Sequence, residues 1–322
     1  MRISRAAWTM LIALALITAF ACRSREDAGH GNQTGKLKVV ASLFPLYDFA
    51  RTVGGGNVDI TLLLPPGVEP HSFEPRPADM VTLSRADIFI YTNRYMEPWA
   101  GDILKATDGS RLLIVDAGRG ADFLERTGGE FADEGKSDET GHVSGEGADP
   151  HIWLDFSNAK MMVDTIRDAF ITRNPAHAEI YRTNAQLYRD RLDALDGQYR
   201  NALSGCRKKT MVDGGHYTFG YLARRYRLTY IAAYGLSPDA EPTARDLARI
   251  SRMLSKEGLK YLFHEELLSP RIAQTIAHET GASLLRLHGA HNISREELRA
   301  GTTFLDLMEK NLDQLLTGLQ CR

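Results

Sequence analysis

The chain has 322 residues, 43% hydrophobic and 25% charged, an ordinary balance for a soluble globular protein and enough for two compact lobes. A formal net charge of −2 supplies no basic surface, so nothing in the composition reads as a nucleic-acid binder. The three cysteines form no CxxC pair, which argues against a redox role and against a thiolate metal site.

At the start, Arg2 and Arg5 precede an apolar run over 6–21, broken only by Thr9 and Thr18, and Cys22 follows at once. The run is too short and too weakly flanked for a membrane span, and it reads as a secretory signal over 1–21. Ala21 directly before Cys22 resembles a bacterial lipoprotein processing site, although Ala19 stands where Leu or Val is more usual. Lipidation at Cys22 is therefore expected, with residues 22–36 as a polar tether and a periplasmic or cell-surface location. In that oxidising setting Cys206 and Cys321 are an even remainder, which permits one disulfide between them.

From residue 37 strands and helices alternate. Strands are expected at 38–42, 58–64, 87–91 and 111–115, with helices at 45–53, 77–85 and 98–106 between them. The segment 118–149 breaks the pattern; it is acidic and Gly-rich and reads as a mobile surface loop carrying one histidine, His142. Its alternative reading is a weak cation-collecting arm. A helix at 158–171 follows, then a long one over 176–203, where Tyr181, Ala185, Tyr188, Leu192, Leu195, Tyr199 and Ala202 form a single apolar stripe. The second half repeats the alternation, with strands at 210–214, 229–233, 260–264 and 283–287. Its helices are expected at 217–225, 243–257, 270–280 and 294–316. The fold class is α/β: two Rossmann-like lobes with mostly parallel sheets, 37–175 and 206–322, joined by one long rigid helix over 176–205.

Ten histidines are present, and their position separates them. His71 lies just beyond a strand, His151 where the acidic loop ends, His216 beyond Asp213-Gly-Gly, and His288 directly after the last strand, with His291 three residues later. In open α/β sheets, ligands bind in the crevice outside the carboxyl ends of the strands, and two facing lobes bring such residues together in a cleft. Neutral imidazole is a common zinc ligand and zinc takes four ligands tetrahedrally, so His71, His151, His216 and His288 are the candidate metal ligands. His30, His177 and His278 sit in the tether, on the long helix and within a helix; His264 is a rim candidate. Asp155, Asp213, Glu265 and Glu266 are candidates to orient the imidazoles.

In combination these motifs are specific. Ala41-Ser-Leu-Phe-Pro-Leu-Tyr-Asp-Phe-Ala50, Pro70-His-Ser-Phe-Glu-Pro75, Asp149-Pro-His-Ile-Trp-Leu-Asp155, the His216 strand end, Phe263-His-Glu-Glu266 and Ile272–Ala282 together resemble the metal-binding proteins of bacterial zinc and manganese ABC importers. The likeness runs from about Lys38 to the C-terminus. It implies two α/β lobes joined by a long helix, and a monomeric, lipid-anchored carrier that passes a divalent ion to an ABC importer permease. It places His71, His151 and His216 on three ligand positions. Many members carry an aspartate at the fourth, where this sequence reads Leu287-His-Gly-Ala-His291; His288 falls nearest, with His291, a carboxylate or water as alternatives. An all-nitrogen set favours Zn2+ over Mn2+ or Fe2+. Two other classes compete: a zinc hydrolase, for which no HExxH pattern occurs, and a surface interaction module with incidental histidines.

Overall fold

The computed structural model describes residues 35–106, 111–125, 148–235 and 242–321. The expected signal at 1–21, Cys22, most of the tether and most of the acidic loop, with His30 and His142, lie outside the described residues. No helix among the described residues is long and apolar enough to cross a membrane.

Two four-stranded parallel sheets form. The first contains β1 (Leu37–Ala41), β2 (Val58–Leu62), β3 (Ile88–Tyr91) and β4 (Leu113–Asp116) in the order β2-β1-β3-β4. The second contains β5 (Thr210–Asp213), β6 (Thr229–Ala232), β7 (Tyr261–Glu265) and β8 (Ser283–Leu287) in the matching order β6-β5-β7-β8. Ile88-Phe-Ile-Tyr91 is buried throughout, as a central strand covered on both faces must be. Because every pairing is parallel, all the carboxyl ends of a sheet open onto one edge, and the loops leaving that edge carry the candidate ligands.

Helices α1 (Phe44–Gly54), α2 (Pro77–Ser84), α3 (Ala100–Ala106) and α4 (Phe156–Arg173) accompany the first sheet. Next come α5 (Ala178–Ser204), α6 (Gly220–Tyr226), α7 (Ala244–Glu257), α8 (Arg271–Thr280), α9 (Arg295–Arg299) and α10 (Phe304–Gly318). Helix α5 has 27 residues, about 40 Å at 1.5 Å per residue. Its buried stripe Tyr181, Ala185, Tyr188, Leu192, Leu195, Tyr199, Leu203 packs on α1 and α4 of the first lobe and on α6 and α10 of the second. One hydrophobic core therefore runs through both lobes along this helix, with smaller clusters around Val40 and Phe89 and around Val212 and Leu262.

Polar contacts lock the same junction. Asp48 of α1 is fully buried; its Oδ2 accepts from Tyr188 Oη on α5 (3.0 Å) and from the backbone N–H of Phe304 at the start of α10 (3.0 Å). Arg225 of α6 forks onto Asp196 of α5 (2.7 and 2.6 Å) and extends its third nitrogen to Asp155 (2.8 Å), whose carboxylate caps α4. Planar guanidinium suits such a two-pronged contact. Cys206, just beyond α5, and Cys321, just beyond α10, are joined as a disulfide.

The expected single helix at 294–316 is two helices. The chain turns at Gly301, whose φ of +74° favours a residue without Cβ. Thr303 then restarts α10 with a capping box to Asp306. The break frees the first N–H of α10 to reach Asp48.

Asp48→Ala should destabilise the metal-free protein by about 2–4 kcal/mol in urea unfolding, since it strands the Tyr188 hydroxyl and an amide in the core. Arg51→Ala, which leaves the buried Asp48 with its Tyr188 and Phe304 donors but without its cationic partner, should cost less, about 1–2 kcal/mol.

Candidate metal centre

Four loops deliver the site. His71 lies on the segment leaving β2, and His216 follows β5 after Gly214-Gly215. His151 opens the turn into α4, and His291 ends the loop that leaves β8. One ring nitrogen from each of His71, His151, His216 and His291 lies within 4.8 Å of all the others. His151, His216 and His291 are buried at 0%, 2% and 3% exposure, and His71 is half-buried at the mouth.

The separations are diagnostic. His151 Nε2 stands 3.2 Å from His71 Nε2 and 3.3 Å from His216 Nε2. Two zinc–nitrogen bonds of 2.0–2.1 Å at a tetrahedral angle put their nitrogens about 3.3–3.4 Å apart. The far side of each ring explains which nitrogen faces inward. His151 Nδ1 contacts Asp149 Oδ1 at 2.7 Å, and His216 Nδ1 contacts Glu265 Oε2 at 2.8 Å. With Nδ1 engaged by these carboxyl groups, each Nε2 turns to the centre, where the Thr218 hydroxyl also lies 2.9 Å from His216 Nε2. Lone pairs facing one another at such distances repel unless a proton or a cation lies between them. His291 Nε2 is buried with no hydrogen-bond partner, which is costly for a polar atom and fits a ligand awaiting a metal. Gly289 makes room for this ring: a Cβ there would come within 2.2 Å of His291 Cε1.

Burial sets the protonation. It holds the His151 and His291 imidazoles well below the ordinary 6.5, with help from the neighbouring histidines, and it pushes His216 down to about 4. The same burial pushes the Asp149 carboxyl up to about 8 and raises Glu265. Neutral His151, His216 and His291 carry no charge of their own, and the carboxyls behind them are the groups whose ionisation would balance a dication.

His288, the expected fourth ligand, lies outside this cluster. His288 is buried, but it faces away from the other three. Its Nδ1 accepts from the Ala290 N–H (2.9 Å), and its Nε2 points toward Glu297 (3.8 Å). Asn311 of α10 clamps its backbone on both sides, at 2.7 and 2.8 Å. The reason is directional: the residue leaving β8 is turned toward α10, and the loop must reverse at Ala290 (φ +57°) before a side chain reaches the centre. That side chain belongs to His291. Of the carboxylates expected to orient imidazoles, Glu265 holds His216, Glu266 holds the Gly289 N–H (3.0 Å), Asp213 holds the Gly215 N–H (2.8 Å), and Asp155 caps α4. Asp149 was not among them, though its Asp-Pro-His spacing, with the carboxylate two residues before the ring, is a readable signal.

A family model described as ZnuA, zinc-uptake complex component A periplasmic, matches residues 39–318. The chain belongs to the ZnuA family. The zinc-binding protein AdcA of Streptococcus pyogenes serotype M18 is 34% identical over 314 residues, covering 95% of this chain. This chain spans 60% of the length of that relative. The high-affinity zinc uptake system protein ZnuA of Bacillus subtilis is 33% identical over 310 residues, covering 96% of each. Among solved structures, the Zn(II)-bound ZnuA-like domain of Streptococcus pneumoniae AdcA superposes with a TM-score of 0.74 at 33% identity, over 88% of this chain and 99% of the domain. The family thus accounts for the two parallel-sheet lobes and the long helix.

Two outcomes test this geometry. A dication that ionises Asp149 displaces its proton, so zinc affinity should rise with pH up to about 8, by about tenfold per pH unit for each proton released, and level off above it. Titration calorimetry in buffers of different ionisation enthalpy should count that proton, and Asp149→Asn should remove it. Gly289→Ala, which drives a methyl into the His291 ring, should weaken zinc binding at least about tenfold in a competition titration.

Proposed function

We propose that this chain is the extracytoplasmic binding component of a zinc importer, capturing one Zn2+ between its lobes and passing it to an ABC permease. The observation that carries this is the convergence of four imidazoles whose ring nitrogens lie within 4.8 Å of one another, with His151 Nε2 at 3.2 and 3.3 Å from those of His71 and His216, the edge length of a zinc tetrahedron. His71, His151, His216 and His291 are the proposed ligands. Membership of a zinc-uptake family and the zinc-binding names of its relatives support the metal and the permease partner.

Four nitrogens favour zinc over manganese or ferrous iron, which gain more from carboxylate oxygen. They also weigh against hydrolysis. A catalytic zinc keeps one position for water, and four imidazoles would fill the tetrahedral shell. Anchoring through a lipid on Cys22 and a monomeric state are part of the proposal; a pneumococcal relative 34% identical to this chain is named a zinc-binding lipoprotein.

Protein purified without added metal should carry one zinc per chain by elemental analysis. His71→Ala, His151→Ala, His216→Ala or His291→Ala should each lower zinc affinity by at least about a hundredfold, whereas His288→Ala should retain one zinc per chain. Equal zinc content in the wild type and in the combined His71→Ala, His151→Ala, His216→Ala variant would overturn the assignment.

A further inference from the structure

The loop after β8 belongs to the second lobe by connectivity, yet several of its polar groups are spent on the first. Gly289 O accepts from the indole N–H of Trp153 (2.8 Å), His291 O from the Phe44 N–H (3.2 Å), and Ile293 O from the Gly67 N–H (2.9 Å). Asn292 does more. Its side chain is fully buried, and its amide donates both hydrogens, to Pro65 O and to Val68 O, each at 2.8 Å. Its Oδ1 accepts from the Ile293 N–H at 2.8 Å, which fixes the amide orientation. Pro65 to Val68 is the turn that leads into His71, with Gly67 at φ +83°. Asn292 is thus covalently next to one proposed ligand and hydrogen-bonded to the turn that presents another.

We infer that Asn292 is a positioning residue that clasps the His71 turn onto the His291 loop and thereby sets how slowly the captured ion leaves. The inference rests on reading the four imidazoles as a zinc site. His71 is the one half-buried ligand, at the mouth, so its departure opens the shell. While the clasp holds, the turn that carries His71 cannot move away without breaking two buried hydrogen bonds, which leaves Val68 O and the Asn292 amide unsatisfied while Pro65 O keeps the Val68 N–H (3.1 Å). An ion entering by the same route displaces the same turn, which is already clasped in the metal-free protein, so the clasp restrains entry and exit alike.

The test is zinc release into excess chelator by stopped flow, with association measured separately. Asn292→Asp keeps the volume and removes both donors; Asn292→Ala removes them without placing charge against the carbonyls, and it decides the matter if the Asp variant does not fold. Either should release zinc about tenfold to a hundredfold faster, the worth of two hydrogen bonds, with association accelerated to a similar extent and one zinc still bound. In a His71→Ala background the same substitution should change release by less than about twofold, because Asn292 acts through His71. An equal acceleration with and without His71 marks a general structural loss and overturns the inference. So does an unchanged release rate in variants that bind one zinc. A wild type that binds no zinc overturns the proposed function itself, a result distinct from either.

Discussion

Everything in this molecule answers to one electrostatic difficulty: several imidazole nitrogens are pressed together out of water with their lone pairs facing inward. His151 meets both His71 and His216 at little more than 3 Å, and His291 brings a fourth nitrogen with no partner at all. Such an arrangement is held open by the fold and relieved by a cation. The surrounding parts read as supports for it. Asp149 and Glu265 fix which nitrogen faces the centre, and Gly289 leaves the space in which the His291 ring lies. The rest of the β8 loop ties the two lobes together at the same point.

The scaffold explains how residues so far apart in sequence meet. Two sheets of the same strand order each open their carboxyl edges, and α5 spans both lobes as a common wall. Its contacts are apolar along most of the length, with buried polar links at Asp48 and at the Arg225–Asp196 fork. A wall of this kind resists sliding, so motion that admits or releases an ion falls to the loops above it. There the restraints are hydrogen bonds together with Leu64, Trp153, Ala290 and Ile293, which belong to the same core.

Much of this was legible in the sequence. Alternating apolar runs located the strands, and the three-and-four stripe from Tyr181 onward located α5, because both signals are local and periodic. His71, His151 and His216 were visible from their place beside strand ends and Gly or Pro. The fourth imidazole of the cluster comes from His291 and not from His288, for a physical reason. Proximity to a strand end says nothing about which way the side chain turns, and His288 turns toward Asn311 while His291 reaches the centre. The break before α10 was signalled by Gly301 and the Thr303–Asp306 capping pair, but the apolar period continued across it. The work of Asp48 and Asn292 depends on partners more than 200 residues away, and no local pattern carries it.

The most direct measurement is X-ray absorption at the zinc edge on the metal-loaded protein in solution. Four nitrogen scatterers at about 2.0–2.1 Å, with the outer-shell pattern of four imidazole rings, is the expected spectrum. A shell with fewer imidazoles, completed by carboxylate or water oxygen or expanded to five or six ligands, would contradict it.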